Sequence, residues 1–78
     1  MKQYKISWYF HGQVALQTAE HYEKHLYQFA KRNNIIINES KIETLNEFSV
    51  ELFILCNEPG HQAFINSLKP AKFTETKS

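Results

Sequence analysis

The sequence predicts one α+β domain with the element order β-α-β-β-α-β. Two segments alternate apolar and polar residues with a period of two, which is typical of strands with one buried face. Two other segments repeat apolar residues every three or four positions, as amphipathic helices do. A chain of 78 residues has room for only one hydrophobic core. We therefore expect residues 1–78 to form a single domain.

The first half of the chain predicts a strand followed by a long helix. Apolar residues alternate from Tyr4 to Phe10, and Gly12 ends the pattern. Helical spacing follows over about residues 15–33, where Asn33-Asn34 is a plausible left-handed stop. The apolar side of this helix consists of Ala15, Ala19, Tyr22, Leu26, Phe29 and Ala30.

The middle of the chain predicts a hairpin. A β-branched run opens at residues 35–37 and continues more weakly, which indicates a strand that is irregular or bulged midway. Asn46-Glu47 is the expected turn. From Phe48 to Cys56 the alternation is clear, and Phe53 and Leu55 make the second face partly apolar, as in a central strand.

The last quarter predicts a short helix that begins at Pro59, with Asn57 as a possible cap, and that ends before Pro70. Residues 71–78 form an edge strand or a tail, and we favour the strand because Phe73 needs cover. The complete order is the ferredoxin-like arrangement, an antiparallel sheet with two helices on one face. The other sheet face is then open.

Composition excludes several classes of function. The net charge of +1 lacks the basic excess of a protein that binds duplex DNA. The single cysteine, Cys56, cannot form an intramolecular disulfide, and we expect it to be a small buried hydrophobe. No signal-peptide pattern and no membrane-spanning apolar run occurs, so we expect a cytoplasmic protein without membrane contact and without a cofactor.

Two segments resemble acylphosphatases: FHGQVALQTAEHY from Phe10 to Tyr22, and the stretch from Ser49 to Pro70. The resemblance implies a ferredoxin-like fold, and it makes Asn38 a weak candidate for the catalytic Asn of that family. Where the family has its phosphate-binding Arg, this chain has Glu20, which would repel a phosphoryl group. A longer hairpin also lies between Asn38 and Val50. We therefore expect the fold of an acylphosphatase without its activity, with hydrolysis as the alternative.

A pair of histidines on the long helix is a weak candidate for metal binding. His21 and His25 stand four residues apart and could hold a divalent cation together. No further ligand is fixed by the sequence, and exposed helical histidines are more often part of a solvated face. We expect no metal site.

The open sheet face is the predicted binding surface. Tyr9 and His11 from the first strand and Phe53 and Leu55 from the third should lie side by side there. Such a cluster favours contact with a protein partner or a homodimer, whereas single-stranded RNA stacked on the aromatic rings is the alternative. In a third possibility, the C-terminal segment around Phe73 covers this face. The sequence thus favours a small non-enzymatic protein-binding or inhibitory module.

Overall fold

The computed structural model of the chain describes residues 2–76 and confirms the predicted order of elements. The strands are β1 (Gln3–His11), β2 (Ile37–Asn46), β3 (Ser49–Asn57) and β4 (Lys72–Thr76). The helices are α1 (Ala15–Arg32) and α2 (His61–Leu68). Within residues 2–76 neither helix is both long and apolar enough to cross a membrane.

The four strands form one antiparallel sheet in the order β2-β3-β1-β4, as in a ferredoxin-like fold. β1 and β3 are the central pair, and they are in register from Gln3 opposite Asn57 to His11 opposite Ser49. Because neither β1-to-β2 nor β3-to-β4 is a pair of neighbours, each helix connects strands with a third strand between them. β2 and β4 are the two edges of the sheet.

The core lies between the helices and one face of the central strands. Alternate residues of β1 and β3 reach full or nearly full burial there, and the apolar stripes of both helices pack onto them. Phe64 of α2 is fully buried, with its ring 5.2 Å from that of Phe29. Burial of such a side chain contributes about 1.5–3 kcal/mol. The buried set from strands and helices is Ile6, Trp8, Ala15, Ala19, Leu26, Ala30, Val50, Leu52, Ile54, Cys56 and Phe64.

The end of α1 follows the sequence prediction. The helix stops at Arg32, and Asn34 adopts the left-handed conformation with φ of 57°. The backbone N–H of Ile35 then donates to the carbonyl of Ala30 at 2.8 Å, which adds to a longer bond of 3.2 Å from the Asn33 N–H to the same helix-end carbonyl. Asparagine tolerates this conformation better than most residues do.

The hairpin differs from the prediction at both ends of β2. The strand begins at Ile37 rather than at Ile35. The register with β3 shifts between Ile37 and Glu39 and again between Thr44 and Asn46, so the strand is irregular near its two ends and not midway as expected. The alternation pattern predicts Phe48 at the start of the third strand, but this residue lies in the turn. Its N–H donates to the Asn46 side chain at 2.9 Å, and this short-range bond closes the turn one residue later than expected.

The start of α2 also differs from the prediction. The helix begins at His61 with Gly60 as its N-cap residue, two positions after Pro59, whose peptide bond with Glu58 is cis. Asn57 does not cap the helix. Its Oδ1 instead accepts a hydrogen bond of 3.1 Å from Nδ2 of Asn38.

The C-terminal segment forms the predicted edge strand, β4, up to Thr76, and residues 77 and 78 lie outside the described residues. Phe73 pairs with Ile6 in the sheet, which places it on the face that carries the helices. The possibility that the segment around Phe73 covers Phe53 and Leu55 is therefore wrong, because those residues lie on the opposite face.

Candidate protein-binding surfaces

The four residues predicted to bind a partner, Tyr9, His11, Phe53 and Leu55, lie on the sheet face away from the helices, because they alternate with core residues. They do not form one continuous aromatic patch. Tyr9 stands opposite Glu51 and His11 stands opposite Ser49 in the β1–β3 pair. His11 bonds that serine, with Nδ1 2.9 Å from Oγ, at the exposed end of the pair.

Charged side chains cover the middle of this face. The ammonium group of Lys5 lies 4.4 Å from the centre of the Phe53 ring, and Phe53 is only 8% exposed. The same ammonium lies 3.9 Å from the Glu51 carboxylate. A base could therefore stack on Phe53 only if Lys5 moved away.

Tyr9 belongs to the same cluster. Its hydroxyl donates to the Glu51 carboxylate at 3.5 Å. Loss of water around the phenol raises the pKa of Tyr9, and the neighbouring negative charge of Glu51 raises it further. The open face is therefore a layer of paired polar groups above one buried aromatic ring.

The residues that carry the acylphosphatase resemblance are not brought together. Gly12 follows the end of β1, where its N–H donates to the carbonyl of Phe48 at 2.8 Å. Asn38 lies at the other end of the sheet, beside Asn57. Ser49 and Asn57 are eight residue steps apart along β3, which corresponds to about 26 Å of strand. A phosphate at the Gly12 turn would thus be out of reach of Asn38.

Asn38 instead lines a shallow pocket of about 490 Å³ between the end of α1 and the start of α2. Asn33, Asn34 and Asn57 supply further amide groups, and Ile35 forms part of the apolar wall. The sequence analysis did not find this pocket, because its lining residues come from two segments that are far apart in the sequence, within residues 33–38 and 57–63.

The histidine pair on α1 is brought together as its spacing predicts. The Nε2 atoms of His21 and His25 are 3.0 Å apart, and the two rings meet edge to face. In the described part of the chain no group of three or more His, Cys, Asp or Glu side chains is placed to hold a metal ion. The structure thus offers two ligands at this position.

Cys56 is fully buried among core residues, as predicted. Burial raises the pKa of its thiol, which disfavours the reactive thiolate at neutral pH. His61 is buried nearby in the sequence, but its ring stacks on Tyr4 at 3.9 Å. Within residues 2–76 its Nδ1 has no hydrogen-bond partner.

The free edge of β2 is a surface that the sequence analysis missed. Eight large hydrophobic side chains are exposed within residues 2–76, and four of them flank this edge. Ile36 precedes the strand and is 78% exposed, Leu45 lies near its end, and Phe48 in the turn is 51% exposed. Tyr27 of α1 leans towards the strand and meets Oγ of Ser40 with its hydroxyl at 2.8 Å. We call these four side chains and β2 itself the β2 edge surface.

The β2 edge surface carries alternating charges on its open-face side. Glu39, Lys41 and Glu43 pair with Leu55, Phe53 and Glu51 of β3, so all three point away from the helices. Lys41 and Glu43 are 3.9 Å apart, and both are well exposed. An edge strand presents unpaired N–H and C=O groups along its outer side. The β2 edge surface thus combines free backbone groups, alternating charges and exposed apolar side chains.

Comparison of the chain with protein-family models, with curated proteins and with solved structures found no match.

Proposed function

We propose that this protein is a small non-enzymatic protein-binding module whose contact surface is the β2 edge surface. The observation that carries the proposal is that four exposed hydrophobic side chains flank a ten-residue edge strand. An extended segment of a partner can add to such an edge through main-chain hydrogen bonds, with side chains beside the edge providing specificity. A regulatory or inhibitory role would follow if the partner's own activity required that segment.

Two features favour binding at this surface over the open face or over hydrolysis. Phe53 on the open face lies beneath Lys5 and offers little apolar area to a partner. Gly12 and Asn38 are at opposite ends of the sheet, so the acylphosphatase site is not assembled. A reducing cytoplasm suits this chain, because its one cysteine needs no disulfide partner.

The proposal is tested by capture of proteins from an extract of the cells that produce this chain. The immobilised protein is compared with a double variant, Ile36→Lys with Phe48→Lys, which places two charges on the β2 edge surface. Both positions are exposed and lie outside the strands, so the fold should be retained. Phe73→Lys is the matched control, because Phe73 is 48% exposed at the other edge.

We expect the control variant to retain the bound proteins of the natural chain and the double variant to lose them. Circular dichroism establishes that each variant is folded. If the double variant captures the same proteins in the same amounts as the control, the β2 edge surface is not the contact site and the proposal is wrong.

A further inference from the structure

The charge pattern of β2 is self-complementary, which identifies one partner for the edge. We propose that the β2 edge of one molecule pairs antiparallel with the β2 edge of a second copy, about a two-fold axis at Ile42. This inference rests on the proposed function, since it uses the same surface. It goes further because it names the occupant and the register.

The open-face side of the strand supplies the first argument. In antiparallel pairing about Ile42, the numbers of two residues that face each other, one from each copy, add up to 84. Lys41 then stands opposite Glu43 of the second copy, and by symmetry this pair occurs twice. Both side chains are more than two-fifths exposed and lie on the same face, so both are available for this contact. Opposite charges directly across an antiparallel pair are stabilising.

The helix side of the strand fits the same register. Ile42 is half-buried against the core and would meet Ile42 of the second copy at the axis. Ser40 would stand opposite Thr44 on either side of the axis, with its hydroxyl still bonded to Tyr27 and Glu23 of α1. An aliphatic pair such as Ile42 with Ile42 is a favourable cross-strand contact. Glu39 would stand opposite Leu45, which lies at the second irregularity of the strand, so the charge pairing rests on Lys41 and Glu43. The centre of the strand favours the axis at Ile42 on both faces.

Neighbouring registers lose these pairs. An axis at Lys41 would place Lys41 opposite itself and Glu39 opposite Glu43, so that like charges meet three times. A shift of half a step, with Lys41 opposite Ile42, would put the helices of the two copies on opposite faces of the sheet, which a two-fold axis between the two β2 edges does not allow. An axis at Ser40 would pair Glu39 with Lys41, but it would leave Glu43 opposite Ile37. Like charges directly across the ladder are destabilising.

The ends of the strand supply an independent argument. A two-fold antiparallel pair brings the start of one β2 to the end of the other. The exposed Ile36 of one copy would thus lie at the same end as the exposed Leu45 and Phe48 of the second copy. This happens at both ends of the pair. Apolar side chains that are exposed in one molecule would be buried together in two, which favours association.

Regular strand geometry limits the pairing to the centre of β2. The register with β3 shifts before Glu39 and after Thr44, and such bulges twist a strand locally. Residues 39–44 between the two irregularities are regular, and Lys41, Ile42 and Glu43 occupy the middle of that stretch. The self-complementary pairs therefore lie where an added strand can follow the backbone.

The experiment measures molar mass by sedimentation equilibrium from about 1 μM to about 1 mM, a span that covers weak and moderate affinities. We expect the natural chain to pass from monomer to dimer within this range. Lys41→Glu places two carboxylates opposite each other at both symmetry-related pairs with Glu43, and it should weaken dimerisation roughly ten-fold. Thermal melting at the lowest concentration establishes that the variant monomer is folded.

Two second-site variants of Lys41→Glu test the register. Adding Glu43→Lys restores opposite charges only if residue 41 faces residue 43, so the double variant should dimerise like the natural chain. Adding Glu39→Lys changes net charge identically but should not restore dimerisation. Restoration by Glu39→Lys and not by Glu43→Lys would overturn the axis at Ile42.

The two proposals fail in different ways. A natural chain that stays monomeric over the whole range overturns the homodimer, whereas edge-dependent capture of another protein by that monomer leaves the proposed function intact. A dimer that is unaffected by Lys41→Glu and by the Ile36→Lys with Phe48→Lys variant overturns the homodimer through β2, because association would then occur elsewhere; the proposed function is then decided by the capture experiment alone.

Discussion

Removal of the Lys5 side chain should destabilise this protein far more than removal of the Lys41 side chain, although both lysines form ion pairs of the same length. The two N–O distances are both 3.9 Å. Their surroundings differ, because the side chain of Glu51 is 12% exposed while that of Glu43 is 45% exposed. Lys5 also lies over the ring of Phe53, and Lys41 makes no comparable aromatic contact within residues 2–76.

The magnitude follows from these contacts. A cation over an aromatic ring at a partly exposed site contributes about 0.5–1 kcal/mol. The ion pair with Glu51 adds roughly 0.5–1 kcal/mol, near the upper end for surface pairs, because one partner is largely buried. Lys5→Ala should therefore lower the free energy of unfolding by about 1–2 kcal/mol. Lys41→Ala breaks an exposed pair and should cost at most about 0.5 kcal/mol.

Thermal unfolding followed by circular dichroism measures the difference. For a domain of 78 residues, 1 kcal/mol corresponds to a shift of about 4–8 °C in Tm. We expect Lys5→Ala to lower Tm by roughly 4–16 °C and Lys41→Ala by at most about 4 °C. Glu51→Gln combined with Lys5→Ala removes the uncompensated carboxylate and should recover part of the loss.

Equal shifts for the two alanine variants would contradict the reasoning. The contacts of Lys5 with Phe53 and Glu51 would then contribute no more to stability than an exposed ion pair does. Lys5 would in that case be easier to displace from the face that carries Tyr9, His11, Phe53 and Leu55.

Three further predictions concern stability. His61→Phe should raise the free energy of unfolding by up to about 1 kcal/mol in urea titrations, because it removes a buried Nδ1 that has no partner within residues 2–76 and keeps the stack on Tyr4. It also removes the 3.3 Å contact between Nε2 and the Gln62 amide, so a loss instead would mean that this contact outweighs the unpaired Nδ1. Burial raises the pKa of Cys56, so with rising pH the thiol loses its proton in the unfolded chain before it does so in the folded one, and the free energy of unfolding should fall above about pH 8.5. Cys56→Ala should reduce this fall. If the dependence on pH is unchanged in the variant, other groups cause it. Asn34→Ala should lower the free energy of unfolding by about 1 kcal/mol and Asn34→Gly should leave it almost unchanged, because residue 34 has a positive φ of 57°. Equal losses for the two variants would show that the amide side chain contributes more than the backbone conformation does.

The regular elements could be predicted because their patterns are strong and local. Alternation in β1 and β3 placed the core residues on one face, and the apolar stripe of α1 placed Leu26 and Ala30 against them. The end of α1 was also predictable, because asparagine is one of the few residue types that readily adopt the left-handed conformation of Asn34. These features depend on residues close together in the sequence.

The turn between β2 and β3 was harder to place. No glycine marks it, and the bond from Phe48 N–H to the Asn46 side chain selects one of two adjacent positions. The turn lies one residue later than the alternation predicts, and Phe48 is therefore exposed in the turn rather than placed in the strand. Strand boundaries without glycine or proline carry little local signal.

The candidate surfaces depended on long-range register, which periodicity alone does not contain. Alternation predicted that Tyr9 and Phe53 share the open face, but only the β1–β3 register places Glu51 opposite Tyr9 and brings Lys5 within reach of both Glu51 and Phe53. The β2 edge could have been inferred from the ferredoxin-like strand order. The exposure of Ile36 could not, because the β-branched pattern places residues 35–37 together in a strand.

The two edges of the sheet are unequal, since β2 has ten residues and β4 has five. Pairing through the longer edge alone is isologous, which means that both molecules use the same surface. Both copies of that surface are then occupied in the dimer. The proposed homodimer would therefore be closed, with the β4 strands, of five residues each within residues 2–76, at its outer edges. If β4 were as long as β2, a head-to-tail contact between unlike edges could repeat without end and form a filament. In the proposed assembly the shorter β4 edge would thus disfavour growth beyond two copies.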